Sequence, residues 1–310
     1  MIQYANAQIA PQIRQMWKTV FGDSDAYMDI YFREKYRNEH TLVYMENEKA
    51  MASLQMLPYR FTFCDVEIPV AYISGAATLP EARKKGYMEQ LLLKSFDEMA
   101  KNGISLSILV PQEEWLLRFY EKYGYVQTFD AGTEYLDFAQ QPFDLPLPSR
   151  LRLHKSKQPY FKWLLNESIE QAYKEFDAQF RTKDMTVQKT FDDFRTIVEE
   201  AQLFNFPPKK NLIGMVRIID AEKLLTLFAK RYHRNEFSVR VFDEMVEKNN
   251  ATFVIDNDEV EKNAPIIDPV FQLDIRKLTQ LLFGYHTSKE EVPFPSLFPE
   301  KTPVMNFMLE

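Results

Sequence analysis

Cysteine is almost missing from this chain. Cys64 stands alone, so no intrachain disulfide can form, and a reducing, cytoplasmic setting is the expectation. It lies between Phe63 and Asp65 in an expected strand with no histidine beside it, which reads as a small core or surface residue. Glycine is scarce as well: there are 8 in 310 residues, none at the GxGxxG spacing of a dinucleotide fingerprint, and no Gly-Lys-Ser/Thr of a Walker A loop occurs. The histidines His40, His154, His233 and His286 stand far apart, without an HxxxH or CxxC pairing, so no metal is expected. No apolar stretch approaches the length of a membrane span, and residues 1–10 lack the basic start and apolar run of a signal peptide, so neither membrane nor leader is expected. Positive charge is in deficit, with 38 Lys and Arg against 45 Asp and Glu. The resulting net charge of −7 argues against general nucleic-acid binding and suits a cationic amine.

What is present is an ordinary globular composition, 45% hydrophobic and 27% charged, in a chain long enough for two domains. Aromatic residues are plentiful, with 25 Phe and 16 Tyr, which suits either large cores or a lined cavity. Residues 9–21 place Ile13, Met16, Trp17 and Val20 on one helical face, and Gly22-Asp-Ser-Asp25 reads as a turn. Residues 41–45 and 51–57 read as strands around a polar turn, and residues 61–66 and 68–73 as the next hairpin.

The most informative stretch follows. The apolar run 71–79 predicts a buried strand ending at Pro80. From Met88, Leu91, Leu92, Phe96 and Met99 recur at helical spacing until Asn102-Gly103 stops them. Ile104, Leu106, Ile108 and Val110 then alternate as a second strand, which completes a right-handed βαβ unit. Arg83-Lys-Lys-Gly-Tyr-Met88 sits at the mouth of the helix. There, unpaired backbone N–H groups, the positive end of the helix dipole and a glycine permit close approach of an anion such as a pyrophosphate. The same composition also describes a plain solvated corner.

The stretch from Ile73 to Met88 resembles motif A of the GNAT acetyltransferases, and more narrowly the branch named for enhanced intracellular survival; Met88 stands where general GNATs prefer Gly or Ala. The resemblance implies acetyl-CoA as co-substrate, its pyrophosphate held by Arg83, Lys84, Lys85, Gly86, Tyr87 and Met88, and its pantetheine arm paired along Ser74, Gly75, Ala76, Ala77 and Thr78. Arg118-Phe-Tyr-Glu-Lys-Tyr-Gly-Tyr125 resembles the family's helix-to-strand segment, which implies that Tyr120 protonates the departing thiolate. Taken by itself, Tyr120 is equally a core aromatic of helix 112–122 beside Leu116 and Phe119, and Glu113 and Glu114 serve to favour that helix's N-terminus.

Three prolines within 140–149 mark a linker. Residues 158–182 read as one or two helices and 186–201 as another. Strand 215–219, a helix capped by Asp220, strands around 237–241 and 252–255 and a helix capped by Asp274 then follow. The segments Met215-Val-Arg-Ile-Ile-Asp220 and Leu273-Asp-Ile-Arg-Lys-Leu278 resemble the sterol-carrier-like domain that closes the same acetyltransferase branch. The expectation is an α+β protein. Residues 1–140 form the GNAT domain, a mixed sheet with helices on both faces, followed by a linker and helical segment over 141–207 and a sterol-carrier-like domain over 208–310. Residues 142–205 are too few for the second acetyltransferase-like domain of fuller family members, so the family's oligomer does not transfer. Fuller members end on an aromatic residue whose terminal carboxylate acts as a base. Here Asn306-Phe307 resembles that ending but Met308-Leu-Glu310 extends it, so either the terminal carboxylate misses the site or Glu310, the candidate base, brings two carboxylates near it. The implied reaction is direct acyl transfer to a primary amine of a small molecule or peptide, with no nucleic acid or membrane partner. The alternative is a non-catalytic coenzyme A or lipid binding protein.

Overall fold

The computed structural model describes residues 1–131, 168–203, 213–305 and 308. The expected linker at 140–149 and the first part of the helices expected over 158–182 lie outside them. The chain opens with β1 (Ile2–Tyr4) and α1 (Ala10–Phe21), which buries Ile13, Met16 and Trp17 and ends on Gly22 at φ 74°. A second helix, α2 (Asp25–Glu34), begins where the sequence predicted only a turn. Ser24 caps it by accepting from the Tyr27 N–H, and Tyr27, Met28, Ile30 and Tyr31 are buried.

Next come β2 (Thr41–Glu46), β3 (Lys49–Phe63) and β4 (Val66–Thr78), an antiparallel meander. The sequence predicts a break near Pro58, but β3 runs straight through it. Pro58 falls in a gap along one edge of β3, between the pairs that Thr41–Glu46 makes as far as Gln55 and those made from Arg60 onward by β7 (Thr186–Gln188). A strand tolerates a residue without an N–H in such a gap. Cys64 is in the hairpin turn rather than a strand; it and Asp65 hold φ 50° and 62°, and its side chain is buried.

The crossover is as expected. From β4 the chain passes through α3 (Tyr87–Lys101) to β5 (Leu106–Leu109), which lies parallel to β4. Then follow α4 (Glu114–Glu121) and β6 (Val126–Phe129). After α5 (Ile169–Phe180), the segment predicted as one helix over 186–201 divides. Thr186, Val187 and Gln188 form β7, paired with Thr62, Phe61 and Arg60, and only then does α6 (Phe191–Leu203) begin. Long-range pairing overrides local helical spacing there.

The next strand, β8 (Gly214–Ile218), inserts between β5 and β6 and pairs antiparallel with both. The eight-stranded sheet therefore runs β1-β2-β3-β4-β5-β8-β6, with β7 on β3. One face packs on α1 and α2, and the other on α3 and α4. The remainder is α7 (Ala221–Arg231), β9 (Glu236–Phe242), β10 (Ala251–Asp256), β11 (Glu259–Lys262), β12 (Val270–Asp274), α8 (Ile275–Leu282) and α9 (Phe294–Leu297). Its strands form a second sheet, β11-β10-β9-β12. Asp220 and Asp274 cap α7 and α8 as the sequence predicts, accepting from Lys223 N at 3.0 Å and Lys277 N at 2.8 Å. β11 and β12 were not anticipated. The architecture is α+β throughout.

Candidate active site

β4 and β5 pair only where Val70, Ala71 and Tyr72 meet Leu106, Ser107 and Ile108. Beyond Tyr72 the strands part. On the other edge of β4, a register shift between Ser53 and Gln55 falls opposite the kink at Gly75, which holds φ 55°. A Cβ there would come within 2.4 Å of the Trp17 ring and 2.8 Å of Gln55 Nε2, so only glycine allows α1 to pack so closely against the kink. The divergence opens a cleft, with a main chamber of about 800 Å³ and a narrow inner end of about 90 Å³.

One wall is the mouth of α3. Gly86 occupies its N-cap at φ 76° and no side chain caps the first N–H groups. A Cβ at Gly86 would find only Glu89 Oε2, at 3.8 Å, so the space before the helix is open. These features fit a pyrophosphate. Arg83, Lys84, Gly86, Tyr87 and Met88 line the chamber. Lys85 is not among its lining residues: its Nζ lies 3.9 Å from Glu46 Oε2. The Tyr87 ring is fixed behind the wall, stacked on Tyr44 at 3.9 Å and donating to Glu46 at 2.9 Å.

The parted segment of β4 forms the floor. Ser74, Gly75 and Ala76 line the narrow end, and Ala76 and Thr78 line the main chamber. Ala77 lines neither; its side chain is buried in the core beneath α1. The opposite wall is α4 with the turn that follows it, where Trp115, Phe119 and Tyr123 recur at four-residue spacing along the chamber. Tyr120 borders both parts of the cleft and is 7% exposed. Burial pushes its phenol up to about 12, so it is protonated at neutral pH. Glu113 stands at the N-cap of α4 and accepts from the Trp115 indole.

The inner end also holds residues to which the sequence assigned no role in the cleft: Trp17 and Phe21 of α1, and Tyr72. Tyr31 of α2 reaches it by donating to Ser74 Oγ at 2.7 Å. The unrecognised Ser24 cap was the signal that could have led to Tyr31. Glu310, Asn306 and Phe307 lie outside the described residues. The tail before them pairs with β7, as Val304 N donates to Met185 O at 2.8 Å and Val187 N to Val304 O at 3.2 Å. Further on, Lys189 Nζ lies 3.3 Å from Met308 Sδ and 5.1 Å from the centre of the Tyr59 ring. Among the described residues, no group of three or more His, Cys, Asp or Glu gathers as a metal site would require, and no helix is long and apolar enough to cross a membrane.

Comparison with known proteins agrees with this fold. Residues 1–128 match the acetyltransferase (GNAT) domain family, and residues 223–292 match the sterol carrier protein domain family. No curated protein matches the chain by sequence. Among solved structures, Eis1 from Mycobacterium abscessus superposes with a TM-score of 0.71 at 12% identity, covering 99% of both chains. A probable N-acyltransferase of unknown function from Enterococcus faecalis V583 gives 0.65 at 13% identity, covering 99% of this chain and 97% of its own. A GCN5-related N-acetyltransferase from Anabaena variabilis ATCC 29413 gives 0.63 at 15% identity and 98% of each. At such identities the likeness is one of fold, and it extends from end to end.

Proposed function

We propose that this acyltransferase, a GNAT domain continued by a sterol carrier protein domain, moves an acetyl group from acetyl-CoA directly onto a primary amine of a small molecule or peptide. The observation that carries the reading is convergence. An uncapped helix mouth, an unpaired strand edge and a buried phenol border one cleft, although they come from α3, β4 and α4.

Acetyl-CoA supplies an activated acyl carbon and a thiolate leaving group; everything else falls to this chain. The N–H groups at residues 86–88, with Arg83 and Lys84 beside them, hold the pyrophosphate. The free edge from Ser74 to Thr78 aligns the pantetheine arm by strand-like hydrogen bonds, and a backbone N–H near Ala76 or Ala77 polarises the thioester oxygen. Trp17, Phe21 and Tyr72 wall the inner end, where the amine approaches, and exclude water from it. Nitrogen attacks the carbonyl carbon, and the C–S bond breaks as the C–N bond is completed. One proton leaves nitrogen and one arrives at sulfur. Tyr120 donates the latter, first as a hydrogen bond to the developing charge. The nitrogen proton passes to water or to a carboxylate at Glu310.

The test is thiol release from acetyl-CoA across a panel of aminoglycosides, polyamines, peptide N-termini and lysine, paired with a thermal shift on adding coenzyme A. Amine-dependent release with stabilisation is expected. No stabilisation and no release with any amine would overturn the reading.

A further inference from the structure

We infer that Arg217, on β8, is a positioning residue for Tyr120: its buried guanidinium fixes the turn that ends α4 and so aims the phenol into the cleft. The inference rests on the acyl-transfer reading for what Tyr120 does there, though not for how its ring is held.

Arg217 is fully buried in β8, opposite Ser107 of β5. Its Nη2 donates to both oxygens of Asp243, at 2.7 and 3.0 Å. Asp243 in turn accepts from Met245 N at 3.0 Å, Val246 N at 3.1 Å and Asn249 Nδ2 at 2.9 Å, so the carboxylate is anchored on every side. The guanidinium lies 4.7 Å over the Phe96 ring of α3. Its Nη1 occupies the room a side chain would need at Gly124, since a Cβ there would be 2.2 Å away.

Gly124, at φ 79°, belongs to the turn that closes α4. In that turn Tyr123 N and Tyr125 N both donate to Tyr120 O, at 2.9 and 3.3 Å. The Tyr125 ring meets Tyr120 edge-on at 5.6 Å and Phe96 at 6.0 Å, and its hydroxyl shares a 2.6 Å hydrogen bond with Ser107 Oγ. Arg217 thus presses on Gly124 directly and on the Tyr120 ring through Phe96 and Tyr125.

Packing alone does not account for an arginine here. Its Nε and Nη1 are buried without a hydrogen-bond partner, and a buried ion pair is commonly matched or bettered in stability by apolar residues of similar volume. What a rigid, planar, anchored group offers is placement. Displacing a reacting group by about 1 Å costs about 100-fold in rate.

The test uses the full chain labelled with 3-fluorotyrosine, the Tyr120 resonance being the ¹⁹F signal that disappears in Tyr120→Phe. Arg217→Met is compared with the double variant Arg217→Met/Asp243→Asn. The double variant leaves no buried unpaired charge and keeps an acceptor for Met245 and Val246, so it folds even if the single variant does not. The Tyr120 signal is expected to shift or broaden, kcat to fall about 10- to 100-fold, and the acetyl-CoA KM and coenzyme A affinity to stay unchanged. Adding Tyr120→Phe to either variant should cause no loss beyond Tyr120→Phe alone. An unmoved Tyr120 signal in a folded variant overturns the inference, and so does an equal fall in kcat in the Tyr120→Phe background or a weakened coenzyme A affinity. If Tyr120→Phe alone leaves turnover intact, the acid assignment fails, and the fluorine signal still decides whether Arg217 holds the ring.

Discussion

The two sheets of this molecule are filled differently. In the four-stranded sheet, β9 is paired along one side by β10 and along the other by β12. Its core is a ladder of rings, with Phe228 on Phe298 at 5.1 Å, Phe298 on Phe237 at 5.6 Å, Phe237 on Phe271 at 5.9 Å and Phe271 on Phe294 at 5.0 Å. The eight-stranded sheet gives up pairing between β4 and β5 after Tyr72, and it buries Lys189, Glu200 and Arg217 among its packing elements. One sheet spends its residues on cohesion. The other keeps a gap and most of the buried charge, with Asp243 at the end of β9 as the partner of Arg217 across the two sheets, and these are the features from which chemistry can be built.

The largest expected contrast concerns Lys189, which is fully enclosed by Tyr59, Met308 and the Lys35–Asp193 ion pair. Burial lowers its ammonium from 10.5 to about 7; Asp193 pulls the other way and Lys35 adds to the lowering. Because the folded value is the lower one, the unfolded chain binds this proton more tightly. The penalty is therefore complete below about pH 7 and disappears as pH rises to 10.5. A shift of that size is worth on the order of 5 kcal/mol. Lys189→Met should be more stable than the parent at pH 6 and should lose that advantage by pH 10.5 in urea melts. A constant difference across that range would remove Lys189 from the polar cost of the cleft-bearing half.

The converse test removes cohesion. Phe298→Ala empties the centre of the ring ladder and should destabilise the protein by about 3–5 kcal/mol in denaturant titrations. Coenzyme A affinity of the folded protein should not change, because Phe298, at the end of α9, packs on Phe237 of the other sheet. A large loss of affinity would mean that the ladder shapes the cleft, and the contrast would fail. Tyr120→Phe reverses the pattern: about a 100-fold fall in kcat, with stability and acetyl-CoA KM nearly unchanged, measured by thiol release and thermal melting.

How much of this was legible in the sequence follows the range of the contacts involved. The crossover β4–α3–β5 is contiguous, punctuated by Pro80, Gly86 and Gly103, and its strands and helix stand where periodicity places them. The narrow end of the cleft is assembled from distant elements. Trp17 and Tyr72 meet only because Gly75 admits α1, and no local spacing reveals that. β7 was read as the start of a helix because Thr186, Val187 and Gln188 precede residues with helical spacing; its partners are Arg60–Thr62 and Val304. Arg217 reads in sequence only as the one polar residue of the apolar strand 215–219. Only the insertion of β8 between β5 and β6 buries it. Lys85 sits in the motif yet ends beside Glu46, since a run of three cations cannot turn every side chain toward one anion.

The smallest effect expected is also the most local. Gly86→Val crowds no neighbouring group, because a Cβ there meets nothing nearer than Glu89 Oε2 at 3.8 Å. What it opposes is the backbone: a β-branched residue at φ 76° is strained by about 1–2 kcal/mol, and the helix mouth relaxes away from that conformation. The N–H groups at 86–88 then no longer converge on one point, and coenzyme A affinity should fall about tenfold by calorimetry. Desulfo-coenzyme A, which keeps the pyrophosphate, should suffer equally, whereas pantetheine, which lacks it, should bind the variant and the parent alike. If pantetheine binding falls as far as coenzyme A binding, the glycine serves the whole cleft and the pyrophosphate loses its assigned seat.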